Sequence, residues 1–343
     1  MGGQRVLITG AGGFLGSHIA RHFGGQGYSV AAVGRFATDY TRTIPNLWRL
    51  CGMTLPDPAL VKAIKSFRPE LLVHCAGTAS VADSVQNPYG DFLKTVDVCA
   101  FTLDTLRLHA PDCRFVLLSS ASVYGNPETL PIHESAPLRP VSPYGYHKML
   151  CETLAQEHAA LHGMKVAILR IFSAYGERLQ RQVVHDICQK FVNPRLRRVE
   201  LFGTGAESRD FIHALDVARA VETIHNSDAS GVFNAAAGVQ TTIAELAETL
   251  ARHFDNGKQV TFNGVVRHGD PLNWEASIDK LAALGYRPSV DLDAGLAGYI
   301  SWFKEQRKSR HDRKTTAAGG DTGHRVQELD GRGLLHRVAG KGA

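Results

Sequence analysis

The sequence predicts an α/β fold: a doubly wound parallel sheet with a smaller α/β cap interleaved into it. Three observations lead there. Short β-rich apolar runs alternate with amphipathic helical patterns through the first two-thirds of the chain. A glycine-rich stretch, Thr-Gly-Ala-Gly-Gly-Phe-Leu-Gly at 9–16, falls directly between the first strand-like run and the first helical pattern. Beyond Gly176 the regular alternation fades into shorter mixed segments, as expected of a cap.

The predicted strands of the main sheet are Arg5–Thr9, Ser29–Val33, Leu71–His74, Arg114–Ser119 and Lys165–Ile171. Between them the helical period places helices at Leu15–Phe23, Pro58–Phe67, Val96–His109 and Tyr144–His162. A helix at Arg181–Phe191, a turn at Phe202–Ala206, a helix at Ala214–His225 and a strand at Gly231–Ala235 follow. Last come a helix at Ile243–Phe254, a strand near Val260–Phe262 and a helix at Leu292–Phe303. Residues 1–175 with 209–237 are expected to form the dinucleotide-binding part, and 176–208 with 238–303 the cap.

Composition narrows the class. The 343 residues are 44% hydrophobic and 21% charged, ordinary globular values. No apolar run reaches the ~18–20 residues needed to cross a bilayer. A cytoplasmic protein without membrane contact is expected. The six cysteines (51, 75, 99, 113, 151 and 188) have no metal-binding or redox spacing, so no metal is expected. The net charge of +5 resides in residues 304–343, with ten Lys/Arg against five Asp/Glu. That tail lacks hydrophobic periodicity and is expected to be disordered. It has no interleaved aromatics, so no nucleic-acid partner is expected.

In the glycine loop, Gly10, Gly13 and Gly16 are spaced G-x-x-G-x-x-G. Such a loop turns tightly, lets backbone approach a pyrophosphate, and presents the N–H groups of the next helix, here from Phe14 and Leu15. NAD binders usually place a carboxylate about 20 residues on, to bind the ribose 2′-hydroxyl. This chain has Gly34-Arg35 there, a guanidinium suited to a 2′-phosphate. NADP is therefore the expected cofactor, with NAD as the alternative.

Tyr144 and Lys148 carry the chemistry. Of nine tyrosines, only Tyr144 has a lysine four residues downstream, a spacing that puts both side chains on one helical face. A tyrosine is a poor base at neutral pH, and a nearby ammonium favours its phenolate. The strand Arg114–Ser119 leads into Ser119-Ser-Ala-Ser-Val-Tyr-Gly125, which puts Ser120 at a strand's carboxyl end, where open α/β sheets bind ligands.

With these motifs the chain resembles the extended short-chain dehydrogenase/reductases acting on nucleotide sugars, the type of the UDP-galactose 4-epimerases. The likeness runs from about residue 4 to 303. His74-Cys-Ala-Gly-Thr-Ala-Ser-Val81 is similar to the family's loop after its fourth strand. Arg209-Asp-Phe-Ile-His213 with Asp216, and Arg267-His-Gly-Asp270, resemble two further family motifs. The resemblance implies a Rossmann-type fold with Ser120, Tyr144 and Lys148 as the catalytic set. It further implies cofactor contacts from Gly10, Gly13, Phe14, Leu15, Gly16, Arg35, Ala76, Gly77, Tyr144, Lys148 and Ile171. Substrate contacts would come from Ser80, Ser120, Ser122, Ser173, Arg209, Arg267 and Asp270, the two arginines gripping a diphosphate. It also implies a homodimer built through Val96–His109 and Tyr144–His162.

Two departures from the family pattern narrow the chemistry. Dehydrating members carry an acidic pair just after the catalytic Ser/Thr, where this chain has Ala121 and Ser122, so 4,6-dehydration lacks its groups. Ser173 stands where the family commonly has Asn. A 4-epimerase and an NADPH-dependent 4-keto-sugar reductase both remain open. A non-catalytic dinucleotide sensor would have lost the Ser/Tyr/Lys set, which is complete here. Arg178, Arg181, Gln182 and Trp274, in the loops 178–184 and 264–274, are left open between substrate contacts and surface roles.

Overall fold

Strands whose residues are buried on both faces pair in the middle of a layered fold, and five strands of the main sheet here are buried almost throughout. The computed structural model describes residues 4–36, 44–265 and 272–318, with side chains up to residue 309. The strands are β1 Arg5–Thr9, β2 Ser29–Gly34, β3 Leu47–Gly52, β4 Leu71–His74, β5 Arg114–Ser120, β6 Val166–Ile171, β7 Ser173–Tyr175, β8 Arg198–Leu201, β9 Ser208–His213, β10 Gly231–Ala235, β11 Gln240–Thr242 and β12 Gln259–Phe262. The main sheet has the order β10-β6-β5-β4-β1-β2-β3, and all its pairings are parallel. The strand order reverses at β1, between β4 and β2, the crevice where such sheets take ligands.

The helices are α1 Phe14–Gly25, α2 Ala59–Phe67, α3 Val81–Gln86, α4 Pro88–Phe92, α5 Val98–His109, α6 Pro143–His162, α7 Gln182–Val192, α8 Ala214–Asn226, α9 Ile243–Phe254, α10 Asp279–Ala282 and α11 Leu292–Ala318. One core joins Ile8, Val73 and Val116 to Ile19 and Phe23 of α1 and Val217 and Val221 of α8. The other joins Leu7, Leu72 and Leu117 to Leu60 of α2, Leu103 of α5 and Ala155 of α6. Alternate residues of each strand feed opposite cores, as the pleat requires.

A three-stranded sheet (β11-β9-β7) and a β12-β8 pair lie outside the main sheet. Five strands were not read from the sequence: β3, β7, β8, β9 and β11. β7, β8 and β11 are short, β3 has no buried residue, and β9 (Ser-Arg-Asp-Phe-Ile-His), though buried, has no alternation to betray it.

Contacts divide the chain into one unit up to Ile300 and a second from Ser301. The tail from Lys304 was expected to lack structure, and this is corrected as far as Ala318, where α11 ends. Residues 304–318 contain no Gly or Pro, and six of the fifteen are Lys or Arg, good helix formers. Because the run is polar all round, it offers no periodicity to read. Residues 319–343 lie outside the described residues. No described helix is long and apolar enough to cross a membrane, and no described cluster of His, Cys, Asp or Glu could hold a metal ion.

Candidate active site

The site is assembled where β1, β4 and β5 end. After β1 the chain turns at Gly10, in the left-handed region with φ +64°. A Cβ there would lie 2.7 Å from the Cys75 carbonyl and the Ala76 nitrogen, so only glycine lets this loop pass the loop after β4. Gly13 caps α1 without a side chain, and the helix's first turn carries no acidic residue. The N–H groups of Phe14 and Leu15 and the positive end of the dipole thus face the crevice uncompensated. These residues fit a dinucleotide pyrophosphate.

Arg35 is exposed at the carboxyl end of β2. With Phe36, Leu50, Met53 and Thr54 it lines a shallow pocket. The edge strand β3, unread in the sequence, supplies the far wall of that pocket.

Helix α6 brings the catalytic candidates together. Ser142 caps it, its hydroxyl accepting from the Gly145 N–H at 3.2 Å, and Pro143 opens the first turn. The Tyr144 N–H donates to Ser84 Oγ of α3 at 3.1 Å. Gly145 packs against the Ser122 carbonyl so closely that a Cβ there would lie 2.7 Å from it. Tyr144 is therefore held beside the Ser120–Ser122 turn. One turn on, the Lys148 ammonium is 8% exposed. It donates to the Leu118 carbonyl at 3.0 Å and stands 5.9 Å from the centre of the Tyr144 ring. Gly77 approaches the same ammonium, a Cβ on it falling 3.9 Å away.

Ser120 ends β5 opposite Ile171 of β6, and its Oγ accepts from the Ser122 N–H at 3.2 Å. Ala121 is fully buried. Ser122 Oγ is occluded, with no hydrogen-bond partner among the described residues.

The substrate candidates are more scattered. Ser80 caps α3, accepting from the Asp83 N–H at 3.1 Å. Ser173 lies in β7 opposite Phe211. Arg209 donates to the carbonyls of Ser208 and Leu272 at 2.8 and 3.2 Å, its guanidinium 5.7 Å from the Trp274 ring centre. Asp210 accepts from the N–H groups of Ala237, Gly238 and Ala276 at 2.8–3.2 Å, while burial pushes its carboxyl up to about 6. Trp274 is buried and donates Nε1–H to the Gly125 carbonyl at 3.1 Å, so it belongs to the core beside the site. Arg181 pairs with Asp83 at 3.3 Å, both exposed. Arg267 and Asp270 lie outside the described residues. Desolvation pushes the half-buried Cys75 thiol up, away from the thiolate.

Sequence reasoning missed the residues that hold the site. Glu152, 2% exposed, accepts from Arg170 Nη2 at 2.7 Å and from the Ser119 hydroxyl at 2.5 Å. Arg170 also donates to the Tyr124 hydroxyl at 3.0 Å, and Tyr124 donates to Asn234 Oδ1 at 2.7 Å. This network ties α6 to β5 and β6 under Ser120. The available signal was Glu152 repeating the Tyr144/Lys148 spacing on the same face of α6.

A doubly wound parallel sheet whose strands end on a glycine loop, a serine and a Tyr/Lys helix defines an enzyme of the extended short-chain dehydrogenase/reductase type. The pattern describing the "NAD dependent epimerase/dehydratase family" matches residues 6–236. The chain belongs to that family. A UDP-glucose 4-epimerase of Azospirillum brasilense is 28% identical, covering 89% of this chain and 93% of that protein. The solved UDP-N-acetylglucosamine 4-epimerase of Methanobrevibacter ruminantium, in complex with UDP-N-acetylmuramic acid, is 26% identical with a TM-score of 0.81. The match covers 89% of this chain and all of that one. The UDP-glucose 4-epimerase of Thermus thermophilus, in complex with NAD, is 27% identical with a TM-score of 0.77, over 88% and 99% of the two chains.

Proposed function

We propose that the protein is a nucleotide-sugar 4-epimerase: it oxidises C4 of a nucleoside-diphosphate sugar and restores the hydroxyl on the other face. The observation that carries this is the Tyr144/Lys148 face of α6 beside the Ser120 turn, with a buried alanine where a dehydrating enzyme needs an acid. Tyr144 takes the proton of the C4 hydroxyl, and the Lys148 ammonium beside it favours the phenolate that does so. Ser120 donates to the same oxygen as it gains carbonyl character. The bound nicotinamide supplies the hydride acceptor and donor. Once the keto sugar presents its other face, Tyr144 returns the proton. Arg209 and Arg267 are assigned to the diphosphate, and Ser80, Ser122, Ser173 and Asp270 to further substrate contacts.

The loop of Gly10, Gly13 and Gly16 with Phe14 and Leu15 is assigned to the cofactor pyrophosphate, and Ala76, Gly77 and Ile171 to its nicotinamide half. The exposed Arg35 supports NADP over NAD, since no carboxylate stands at the end of β2 to repel a 2′-phosphate. Exposed leucines at 93, 108, 150 and 161 around α5 and α6 support a homodimer through those helices. A cytoplasmic location accords with this chemistry.

The test is incubation of the pure protein with UDP-, dTDP-, GDP- and CDP-sugars without added cofactor. Epimerised product is expected. Strict dependence on NADPH would instead make the protein a 4-keto-sugar reductase. Titration of the cofactor-free protein with both dinucleotides is expected to favour NADP, and equal affinity would remove that role from Arg35.

A further inference from the structure

The Asp91 carboxylate is 4% exposed in α4. It accepts from the Thr78 hydroxyl through one oxygen and meets His147 Nδ1 with the other. We propose that this Thr78–Asp91–His147 chain is a positioning device for the C4 reaction, fixing where the Lys148 ammonium stands relative to the cofactor loop. The proposal rests on the epimerase reading and deepens it.

Its two ends lie at the flanks of Lys148. Thr78 follows Gly77, whose backbone borders the ammonium. His147 directly precedes Lys148 on α6, with the Phe92 ring edge-on to its imidazole at 5.7 Å. Thr95 lies in a π-helical turn, Leu93–Asp97, between α4 and α5, and such turns recur at functional sites. Its Oγ1 stands 3.0 Å from Thr78 Oγ1 and accepts from the Thr78 N–H at 3.3 Å. The Thr95 carbonyl accepts from Cys151 Sγ at 3.6 Å, just beyond Lys148 on α6. The same patch therefore grips α6 on both sides of Lys148 and the loop that the ammonium faces.

A carboxylate this buried demands its donors, which makes the joint stiff. Asp91 joins the loop after β4 to α6, the two elements that approach the Lys148 ammonium. A misplacement of about 1 Å in such a geometry can cost roughly 100-fold in rate.

The test compares His147→Leu, which removes the donor, with His147→Asn, whose amide nitrogen can sit where Nδ1 does. His147→Leu is expected to lower kcat by ~10- to 100-fold and to weaken NAD and NADP binding measured by calorimetry. KM for the sugar nucleotide should change by less than about threefold, since the diphosphate grip is elsewhere. His147→Asn should recover most of both losses. Wild-type kcat and dinucleotide affinity in His147→Leu would overturn the proposal, as would His147→Asn being equally impaired. If His147→Leu does not fold, the pair Thr78→Val and Thr78→Ser asks the same question, only the serine being expected to rescue. A wild-type protein that binds dinucleotide but turns over no sugar nucleotide would sink the epimerase reading, while dinucleotide affinity still decides the positioning role.

Discussion

Replacing Glu152 with Leu tests the internal support of the site. In the native chain its carboxylate faces the Arg170 guanidinium, and the two residues are 2% and 3% exposed. The substitution leaves that guanidinium without a countercharge. Its other partners, the Tyr124 hydroxyl at 3.0 Å and the Glu134 carbonyl at 2.9 Å, are neutral and do not compensate. Breaking a buried pair on one side costs roughly 3–5 kcal/mol. The Ser119 hydroxyl also loses its acceptor, a further cost of about 1 kcal/mol. A loss of about 5 kcal/mol is therefore expected in urea unfolding followed by tryptophan fluorescence. The double variant Glu152→Leu/Arg170→Met removes both charges and should lose less than about 2 kcal/mol, a large favourable coupling in the cycle. A loss below about 1 kcal/mol in the single variant would refute the reasoning, placing the change among ordinary surface substitutions. So would a double variant as unstable as the sum of the singles.

Three further outcomes follow from the site. Tyr144→Phe should keep dinucleotide affinity in calorimetry and lose turnover by ~100- to 10,000-fold; unchanged turnover would remove Tyr144 from the proton transfer. Gly10→Ala should abolish dinucleotide binding, because its Cβ must enter the space 2.7 Å from the loop after β4 at a strained φ of +64°; a variant binding as tightly as the native protein would show that the two loops are not locked together. Burial lowers His18 to about 4 and His74 to about 3, from an ordinary 6.5, so both stay neutral in the folded chain where the unfolded chain takes up protons. Their contribution is complete above pH 6.5 and is lost as pH falls toward the folded values, by about 1.4 kcal/mol per pH unit for each. His74→Asn should flatten the slope of stability near pH ~5 by about that amount; an unchanged slope would rule out its titration as a source.

The parallel sheet and its glycine turn were legible because their signals are local. β1 and β4 lie at the predicted residues, and Gly10, Gly13 and Gly16 are ordered by the turn they make. The proposed catalytic face was legible for the same reason, since Tyr144 and Lys148 are neighbours along one helix. β3 and β9 were not: β3 is an edge strand without a buried residue, and β9, though buried, reads Ser-Arg-Asp-Phe-Ile-His and owes its form to pairing with β7 and β11. Trp274 could not be assigned from its position in a polar loop; only packing against Phe172 and the Gly125 carbonyl places it in the core.

By itself, then, the sequence determined the layered α/β class, the phosphate loop and the Tyr144/Lys148 pair, all products of short-range periodicity and backbone chemistry. Tertiary structure alone decided that Gly77 and Leu118 approach the Lys148 ammonium, that Ala121 is sealed from solvent, and that Glu152 and Asp91 anchor α6. Those depend on contacts between residues distant in the chain, 30 positions for Lys148 with Leu118 and 56 for Asp91 with His147. They exist only because burying both faces of the sheet forces the strand ends and α6 into one crevice, where each buried charge must find its partner.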